Sequence, residues 1–160
     1  MILTCQGDKV PIIETGNPKE IIDLDDPKFN NIFQTDEKKV NFKRSDCFIV
    51  YESGETAIME RKQKYTEYGK FQLENTAKIL NQKWDEFLQI SGLDKNTSRP
   101  THYYIYAENG LGHSRFIIDS NNNLRERSTK GENKGPIQTI FGVNIKVYSK
   151  KDIDNMYRFR

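Results

Sequence analysis

Residues 46–62, DCFIVYESGETAIMERK, constrain the fold of this chain more than any other stretch. Two short apolar runs, residues 47–51 and 56–59, lie on either side of Ser53-Gly54. Apolar runs of this length predict strands, and a glycine-containing turn between two of them predicts an antiparallel hairpin. The chain is therefore predicted to build a sheet around this hairpin.

Helix signals stand on both sides of the hairpin. Asn17-Pro18-Lys19-Glu20 has the residue order of a helix start, with an N-cap, a proline at N1 and a glutamate at N3. Asp26-Pro27 restarts or kinks this helix, which is expected to run to about Phe33. Apolar residues at helical spacing predict a long helix over residues 66–89 that ends before Gly92. Its stripe consists of Leu73, Ala77, Leu80, Trp84, Phe87 and Leu88.

The rest of the chain alternates strand and turn signals. Strands are predicted over residues 102–107, 114–118 and 143–148, a polar loop over 119–136 and a terminal helix over 151–160. A chain of 160 residues suits one domain. We therefore predict a single α/β or α+β domain over residues 1–160, with a mixed central sheet flanked by helices.

Composition limits the kinds of binding partner and the cellular compartment that we expect for this chain. The net charge is only +2, so any nucleic-acid site must be a local patch. No stretch approaches the roughly 20 apolar residues that span a bilayer, and the first residues lack a signal-peptide pattern. Cys5 and Cys47 do not have CxxC spacing. We expect no membrane partner, a cytoplasmic location and two reduced thiols.

The pattern Glu-x-Lys occurs three times, but only Glu60-Arg61-Lys62 follows an apolar strand. Residues two apart in a strand share a face, so Glu60 and Lys62 point together and Arg61 points away. The hairpin also brings Asp46, at the start of its first strand, alongside Glu60. Two carboxylates and an ammonium are predicted to converge at this end of the hairpin.

This combination suits metal-assisted hydrolysis of phosphodiesters. Mg²⁺ prefers hard oxygen ligands, which Asp46, Glu60 and the Arg61 backbone carbonyl can supply. The ion lowers the pKa of water and offsets charge on the phosphate, while Lys62 can hold the attacking water or stabilise the phosphate. The alternative is structural: Lys62 simply neutralises the two acids at a sheet edge.

Asp46, the two apolar strands and Glu60-Arg61-Lys62 resemble the core of the PD-(D/E)xK nuclease superfamily, which has the restriction-endonuclease-like fold. The resemblance covers residues 46–62, and the predicted elements over about 18–149 fit the family's α-β-β-β-α-β order. It implies that Asp46 and Glu60 bind metal and that Lys62 is catalytic. Ser45 stands where the signature proline would be.

The resemblance also offers two further site residues. Glu20 is the candidate for an acid that many members carry on the first helix and use to bind metal; as an alternative, Glu20 serves only the capping box. Gln72 resembles a glutamine that some members place beside the catalytic site, with a surface role as the alternative.

Basic residues near the hairpin and in the polar loop are the candidates for phosphate contacts. Lys43 and Arg44 precede the Asp46 strand, and Lys64 follows the Glu-x-Lys triplet. The loop adds Arg125, Arg127, Lys130 and Lys134, for which a purely solvated loop is the alternative.

The sequence thus favours a Mg²⁺-dependent endonuclease, with Mn²⁺ as a substitute, acting on double-stranded or branched DNA. A homodimer is expected because cutting two strands needs two active sites. The alternatives are a nuclease acting on RNA and a catalytically dead domain that binds nucleic acid or a protein partner.

Overall fold

A computed structural model describes residues 2–14, 16–34, 44–63, 67–111, 115–127 and 135–159. In chain order its strands are β1 (Thr4–Cys5), β2 (Asp8–Lys9), β3 (Pro18–Asp23), β4 (Cys47–Tyr51), β5 (Thr56–Lys62), β6 (His102–Ala107), β7 (Phe116–Ile118), β8 (Leu124–Glu126) and β9 (Ile145–Tyr148). Its helices are a 3₁₀ turn (Pro27–Phe29), α1 (Asn30–Phe33), α2 (Glu67–Gln82), α3 (Trp84–Ser91) and α4 (Lys150–Arg158).

The centre of the fold is a five-stranded mixed sheet with the order β3-β4-β5-β6-β9. β3, β4 and β5 form an antiparallel meander, whereas β6 and β9 run parallel to β5. A parallel neighbour requires a crossover, which α2 and α3 supply between β5 and β6. The predicted mixed α and β class is therefore confirmed.

Each face of the sheet packs against its own apolar cluster. Phe48, Ile58 and Ile105 face the side of α2 and α3, where Leu73 and Phe87 meet them. On the other face Cys47, Met59 and Tyr104 pack with Val10 and with Ile153 of α4. Neighbouring residues of β5 thus point to opposite faces, as the pleat of a strand requires. This alternation decides which side chains at the end of β5 meet α2.

The helix predicted at Asn17–Glu20 is wrong, because Pro18–Asp23 forms the edge strand β3. Ile21 and Ile22 lie opposite Ile49 and Phe48 of β4. Pairing with a buried strand outweighs a local capping preference, and proline is tolerated at the first position of an edge strand. The helix expected from Asp26-Pro27 does form, as a 3₁₀ turn followed by α1.

The long helix predicted over residues 66–89 is interrupted. All six residues of its apolar stripe are buried, but α2 ends at Gln82 and α3 begins at Trp84. Lys83 lies between them and directs its ammonium to the carbonyl oxygen of Ile32, 3.2 Å away. At the break, Lys83 therefore binds the carbonyl end of α1. Gly92 is the left-handed C-cap, as predicted.

The polar loop predicted over residues 119–136 contains a strand. β8 pairs with β7 in a small antiparallel sheet, although Leu124 alone among its three residues is apolar and fully buried. Alternation over three residues is too short a signal to identify from sequence. The strand predicted over 114–118 begins at Phe116 within the described residues, and the terminal helix begins one residue early.

The expectation of two reduced thiols is also wrong, because Cys5 and Cys47 form a disulfide. The β1–β2 hairpin packs beside β4 and places the two Cα atoms 6.1 Å apart, within the range that a disulfide spans. Sequence separation hid this pairing, since the two cysteines are 42 positions apart. Within the described ranges, no helix combines the length and apolar character needed to cross a bilayer.

Candidate functional site

Asp46 is fixed between the ends of β3 and β5. Its backbone carbonyl accepts a hydrogen bond of 2.9 Å from Leu24, and its own N–H donates to Met59 at 3.1 Å. Its side-chain Oδ2 accepts a third bond, 2.7 Å long, from the backbone N–H of Arg61. The carboxyl group of Asp46 therefore lies against the peptide bond between Glu60 and Arg61.

The carboxyl groups of Asp46 and Glu60 lie close enough together for each to shift the pKa of the other. Burial, with only 3% of Glu60 exposed, and the neighbouring charge of Asp46 raise the pKa of Glu60 to about 9. Burial also raises the pKa of Asp46, against the opposing effect of the Arg61 N–H. Burial and the adjacent carboxylate therefore both favour the protonated form of Glu60 at neutral pH.

Lys62 completes the cluster. Its ammonium lies 3.8 Å from Oε1 of Glu60 and 5.2 Å from the centre of the Tyr68 ring. α2 comes close at this point because its third residue is Gly69, whose Cα faces the side chains of Lys62 and Glu60. A β carbon added there would lie 3.6 Å from Cγ of Lys62. The Glu-x-Lys side chains therefore lie in the contact between β5 and α2.

Two buried oxygen atoms at this contact have no hydrogen-bond donor among the described residues. They are Oε2 of Glu60 and Oε1 of Gln72. Gln72 is 7% exposed and lies one helical turn after Gly69 on the same face of α2. Buried acceptors without donors are costly, at about 1–3 kcal/mol each, and they suit a bound cation or an ordered water. The alternative surface role for Gln72 is not what the structure shows.

The peptide of Arg61 contributes to the site, but its side chain does not. Because the N–H and C=O of one strand residue point to the same side, the Arg61 carbonyl faces the same neighbouring segment as its N–H. Its guanidinium lies on the opposite face of the sheet and binds Asp8, with Nε 2.7 Å from Oδ2. The carbonyl thus remains a candidate metal ligand.

Glu20 is not brought to the cluster, so its predicted place on a first helix is wrong. It is an exposed residue of β3 opposite Val50, whereas Asp23 lies opposite Cys47. Asp23 is three positions further along the strand than Glu20, or about 10 Å away. The acidic residue that does come near is Asp25, whose charge raises the pKa of both Asp46 and Glu60.

The predicted phosphate-binding residues have mixed placements. Arg44 packs over the Phe33 ring, 4.9 Å from its centre, and donates to Asn30. Arg125 donates to Asp119 at 2.6 Å, while Arg127 is exposed. Four further lysines lie outside the described residues: Lys43, Lys64, Lys130 and Lys134. Contact of these seven residues with phosphate stays a prediction.

Sequence reasoning missed Asp25 and the residues of the N-terminal hairpin. Asp25 belongs to the acidic run Asp23-Leu24-Asp25-Asp26, which directly follows an apolar pair and could have marked a strand end. Gln6-Gly7 is a weak turn signal, and nothing local connects it with residues 46–62. Only the disulfide and the side-chain contacts reveal that connection.

The described part of the chain contains no group of three or more histidine, cysteine, aspartate or glutamate side chains placed together as metal ligands. Asp46 and Glu60 are thus a pair, which Asp25 influences through its charge. Comparisons with family models, with curated proteins and with solved structures found no match to this chain.

Proposed function

We propose that this protein is a metal-dependent endonuclease of the restriction-endonuclease-like fold, which hydrolyses phosphodiester bonds of DNA. One observation carries the proposal: Asp46, bonded to the Arg61 N–H at 2.7 Å, lies beside Glu60, with the Lys62 ammonium 3.8 Å from Glu60. These are the three groups that the resemblance assigns to metal binding and catalysis.

The topology supports the same proposal. The meander β3-β4-β5, the helical crossover and the parallel strand β6 agree with the β-β-β-α-β part of the expected core. In the described residues before β3 the hairpin β1–β2 takes the place of the expected first helix. The proposed ligand set therefore omits Glu20 and consists of Asp46, Glu60 and the Arg61 carbonyl.

These oxygen atoms fit a hard divalent cation. Mg²⁺ is commonly held by one or two carboxylates with water and phosphate oxygens, so a third protein carboxylate is unnecessary. The partnerless Oε2 of Glu60 offers a ligand position. When bound, Mg²⁺ or Mn²⁺ lowers the pKa of water and offsets negative charge on the phosphate.

The protein groups divide the remaining work. Glu60 must lose its proton to bind a cation, and the Lys62 ammonium favours that charged form. Lys62 can then donate a hydrogen bond to a phosphate oxygen or to the attacking water. Oε1 of Gln72 is an acceptor that can orient the same water. Each group has a separate role in hydrolysis.

The proposal extends to the partners of the protein and to its location in the cell. A chain with one such cluster must pair with a second copy to cut both strands, so we propose a homodimer acting on double-stranded or branched DNA in the cytoplasm. An RNA substrate and a catalytically dead domain that binds nucleic acid or a protein partner are the alternatives. Sedimentation of the protein alone and with DNA tests the dimer.

Cleavage assays test the activity. The protein is incubated with Mg²⁺ or Mn²⁺ and a panel of linear duplex, four-way junction, single-stranded DNA and RNA, beside Asp46→Asn, Glu60→Gln and Lys62→Met. Glu86→Gln is the matched control, since it removes an exposed carboxylate on α3. We expect cleavage of duplex or junction DNA by the wild type and the control only. Binding without cleavage in every protein would favour the dead domain.

A further inference from the structure

The turn of the N-terminal hairpin has an unusual residue for its backbone geometry. β1 and β2 are joined by Gln6 and Gly7, both with positive φ, 50° and 94°. Two-residue hairpin turns of this kind favour asparagine, aspartate or glycine at the first position, and a glutamine with positive φ is uncommon. The turn geometry therefore does not explain why glutamine is there.

The side chain of Gln6 makes contacts that a shorter residue cannot make. Its Nε2 donates to Oδ2 of Asp25 at 2.8 Å and to Oδ1 of Asp23 at 3.2 Å. Its Oε1 accepts a bond of 2.9 Å from Nη1 of Arg61. One amide thus connects the segment after β3 with the end of β5. These are the two segments that hold Asp46 between them.

The hairpin is attached beside the carboxylate pair by the disulfide. Cys5 directly precedes Gln6, and Cys47 directly follows Asp46. The hairpin ladder itself is only two residue pairs long. Ion pairs of Asp8 with Arg61 and of Lys9 with Asp154 also hold the hairpin, and the buried disulfide is its covalent attachment directly beside Gln6. Disulfides are rare in the cytosol, and those that occur there are usually redox-active.

We propose that Gln6 is a positioning residue, which holds Asp25 beside the Asp46–Glu60 pair and fixes the Arg61 guanidinium on the other face of the sheet, and that the Cys5–Cys47 disulfide makes this positioning redox-sensitive. A dithiol reduces the disulfide: two electrons and two protons pass to the sulfurs, giving two thiols, and the dithiol becomes a disulfide. The turn then loses its covalent attachment to the residue after Asp46, the contacts of Gln6 weaken, and affinity for divalent cations falls. The inference rests on the proposed function, because Asp25 attracts a cation only if the pair binds one.

The experiment measures Mn²⁺ affinity by electron paramagnetic resonance on the full chain. Oxidised wild type is compared with protein reduced by dithiothreitol and then freed of reductant under argon. Gln6→Asn suits the turn better but has a side chain one methylene shorter, so it removes the contacts without disfavouring the fold. We expect reduction and Gln6→Asn each to weaken Mn²⁺ binding about five- to tenfold, and reduction of Gln6→Asn to add little.

Two controls separate positioning from general stability. The thermal midpoint of oxidised Gln6→Asn should not fall below that of the wild type. In the double variant Cys5→Ser/Cys47→Ser, dithiothreitol should change nothing. Equal Mn²⁺ affinity in oxidised wild type, reduced wild type and oxidised Gln6→Asn would overturn the proposal.

A measurement without metal keeps the inference independent of the proposed function. The Nε2 amide protons of Gln6 should be protected from hydrogen exchange in oxidised, metal-free protein, and both reduction and Asp25→Asn should remove that protection. If oxidised wild type binds no Mn²⁺, the nuclease proposal fails, while loss of protection on reduction still supports the positioning role. Protection that is unchanged by reduction overturns it.

Discussion

The backbone N–H of Arg61 donates a hydrogen bond of 2.7 Å to Oδ2 of Asp46. This bond links the Glu-x-Lys peptide of β5 directly to the aspartate that precedes β4. It leaves the other carboxylate oxygen of Asp46 available to Glu60 or to a cation. The same side chain therefore has a structural role and a proposed chemical one, and substitutions can separate the two.

Asp46→Ala should lower both stability and metal affinity, whereas Asp46→Asn should mainly lower metal affinity. Alanine leaves the half-buried N–H of Arg61 without an acceptor, which costs about 1–3 kcal/mol of unfolding free energy. Asparagine keeps an oxygen acceptor but removes the charge. Urea denaturation and Mn²⁺ titration measure the two effects. Equal stability of the two variants would contradict this assignment.

The stability of the metal-free protein should fall as pH rises from about 4.5 to about 9. Glu60 has a folded pKa of about 9 against 4.5 when unperturbed, so in this window the native state binds more protons than the unfolded state. The slope approaches at most about 1.4 kcal/mol per pH unit. Glu60→Gln should remove most of it. Denaturation curves of both proteins at several pH values, without metal, provide the test.

Lys62→Met should stop cleavage while the acid pair still binds Mn²⁺, because losing the repulsion of a cation and losing the support for charged Glu60 oppose each other. The Lys62 ammonium lies beside Glu60 and over the Tyr68 ring, where it is placed to contact phosphate or water but repels a cation. Lys62→Arg keeps the charge in a larger, planar group and should restore binding of DNA without full turnover. Single-turnover cleavage and calorimetry distinguish these outcomes. A Lys62→Met variant with normal turnover would exclude a catalytic role.

Gly69→Ala should stabilise the protein by about 0.5–1 kcal/mol, because alanine is the better helix former. The added β carbon meets Lys62 and Glu60 at 3.6–3.9 Å, which is ordinary contact. Gly69→Leu should instead displace the Lys62 side chain and reduce cleavage. Thermal midpoints and cleavage rates of both variants are the measurements. Clear destabilisation by alanine would mean that α2 and β5 pack more closely in solution than these distances indicate.

Arg125 and Arg127 should differ in a salt-dependence experiment. Arg125 is bound to Asp119, so Arg125→Ala should lower stability with little effect on the salt dependence of DNA binding. Arg127 is exposed, and the variant Arg127→Ala/Lys130→Ala/Lys134→Ala should flatten that dependence by about 0.9 in slope for each phosphate that the protein no longer neutralises. Fluorescence anisotropy at several salt concentrations gives both slopes. Identical slopes in the wild type and all variants would mean that these basic residues do not contact phosphate.

The sequence was most informative where one strong pattern spans several residues. Alternation along residues 46–62 was enough to place Glu60 and Lys62 on one face and Arg61 on the other, because side-chain direction in a strand follows from its pleat. The stripe from Leu73 to Leu88 likewise identified the buried helical face. Both patterns show which side chains are buried, and burial is the property that leaves the strongest pattern in a local stretch of sequence.

Local patterns failed where pairing with a distant segment decided the outcome. Asn17–Glu20 has a helix start, but the hydrogen bonds and apolar contacts that β4 offers favour a strand. Pairing with β4 also explains why Glu20 is far from Asp46 while Asp25 is near. The register of β3 against β4, and not spacing along the chain, determines which carboxylate reaches Asp46.

The contacts around Gln6 were beyond any local argument. A glutamine beside a glycine predicts a turn at most, and Cys5 gives no indication of its partner 42 residues away. Folding brings the hairpin against β4, and only then do one amide, two carboxylates and one guanidinium meet. The sequence determined the chemical groups of the Glu-x-Lys strand and their common face. Tertiary packing alone decided which residues surround these groups. Contacts between distant segments form only when the whole sheet buries its apolar surface.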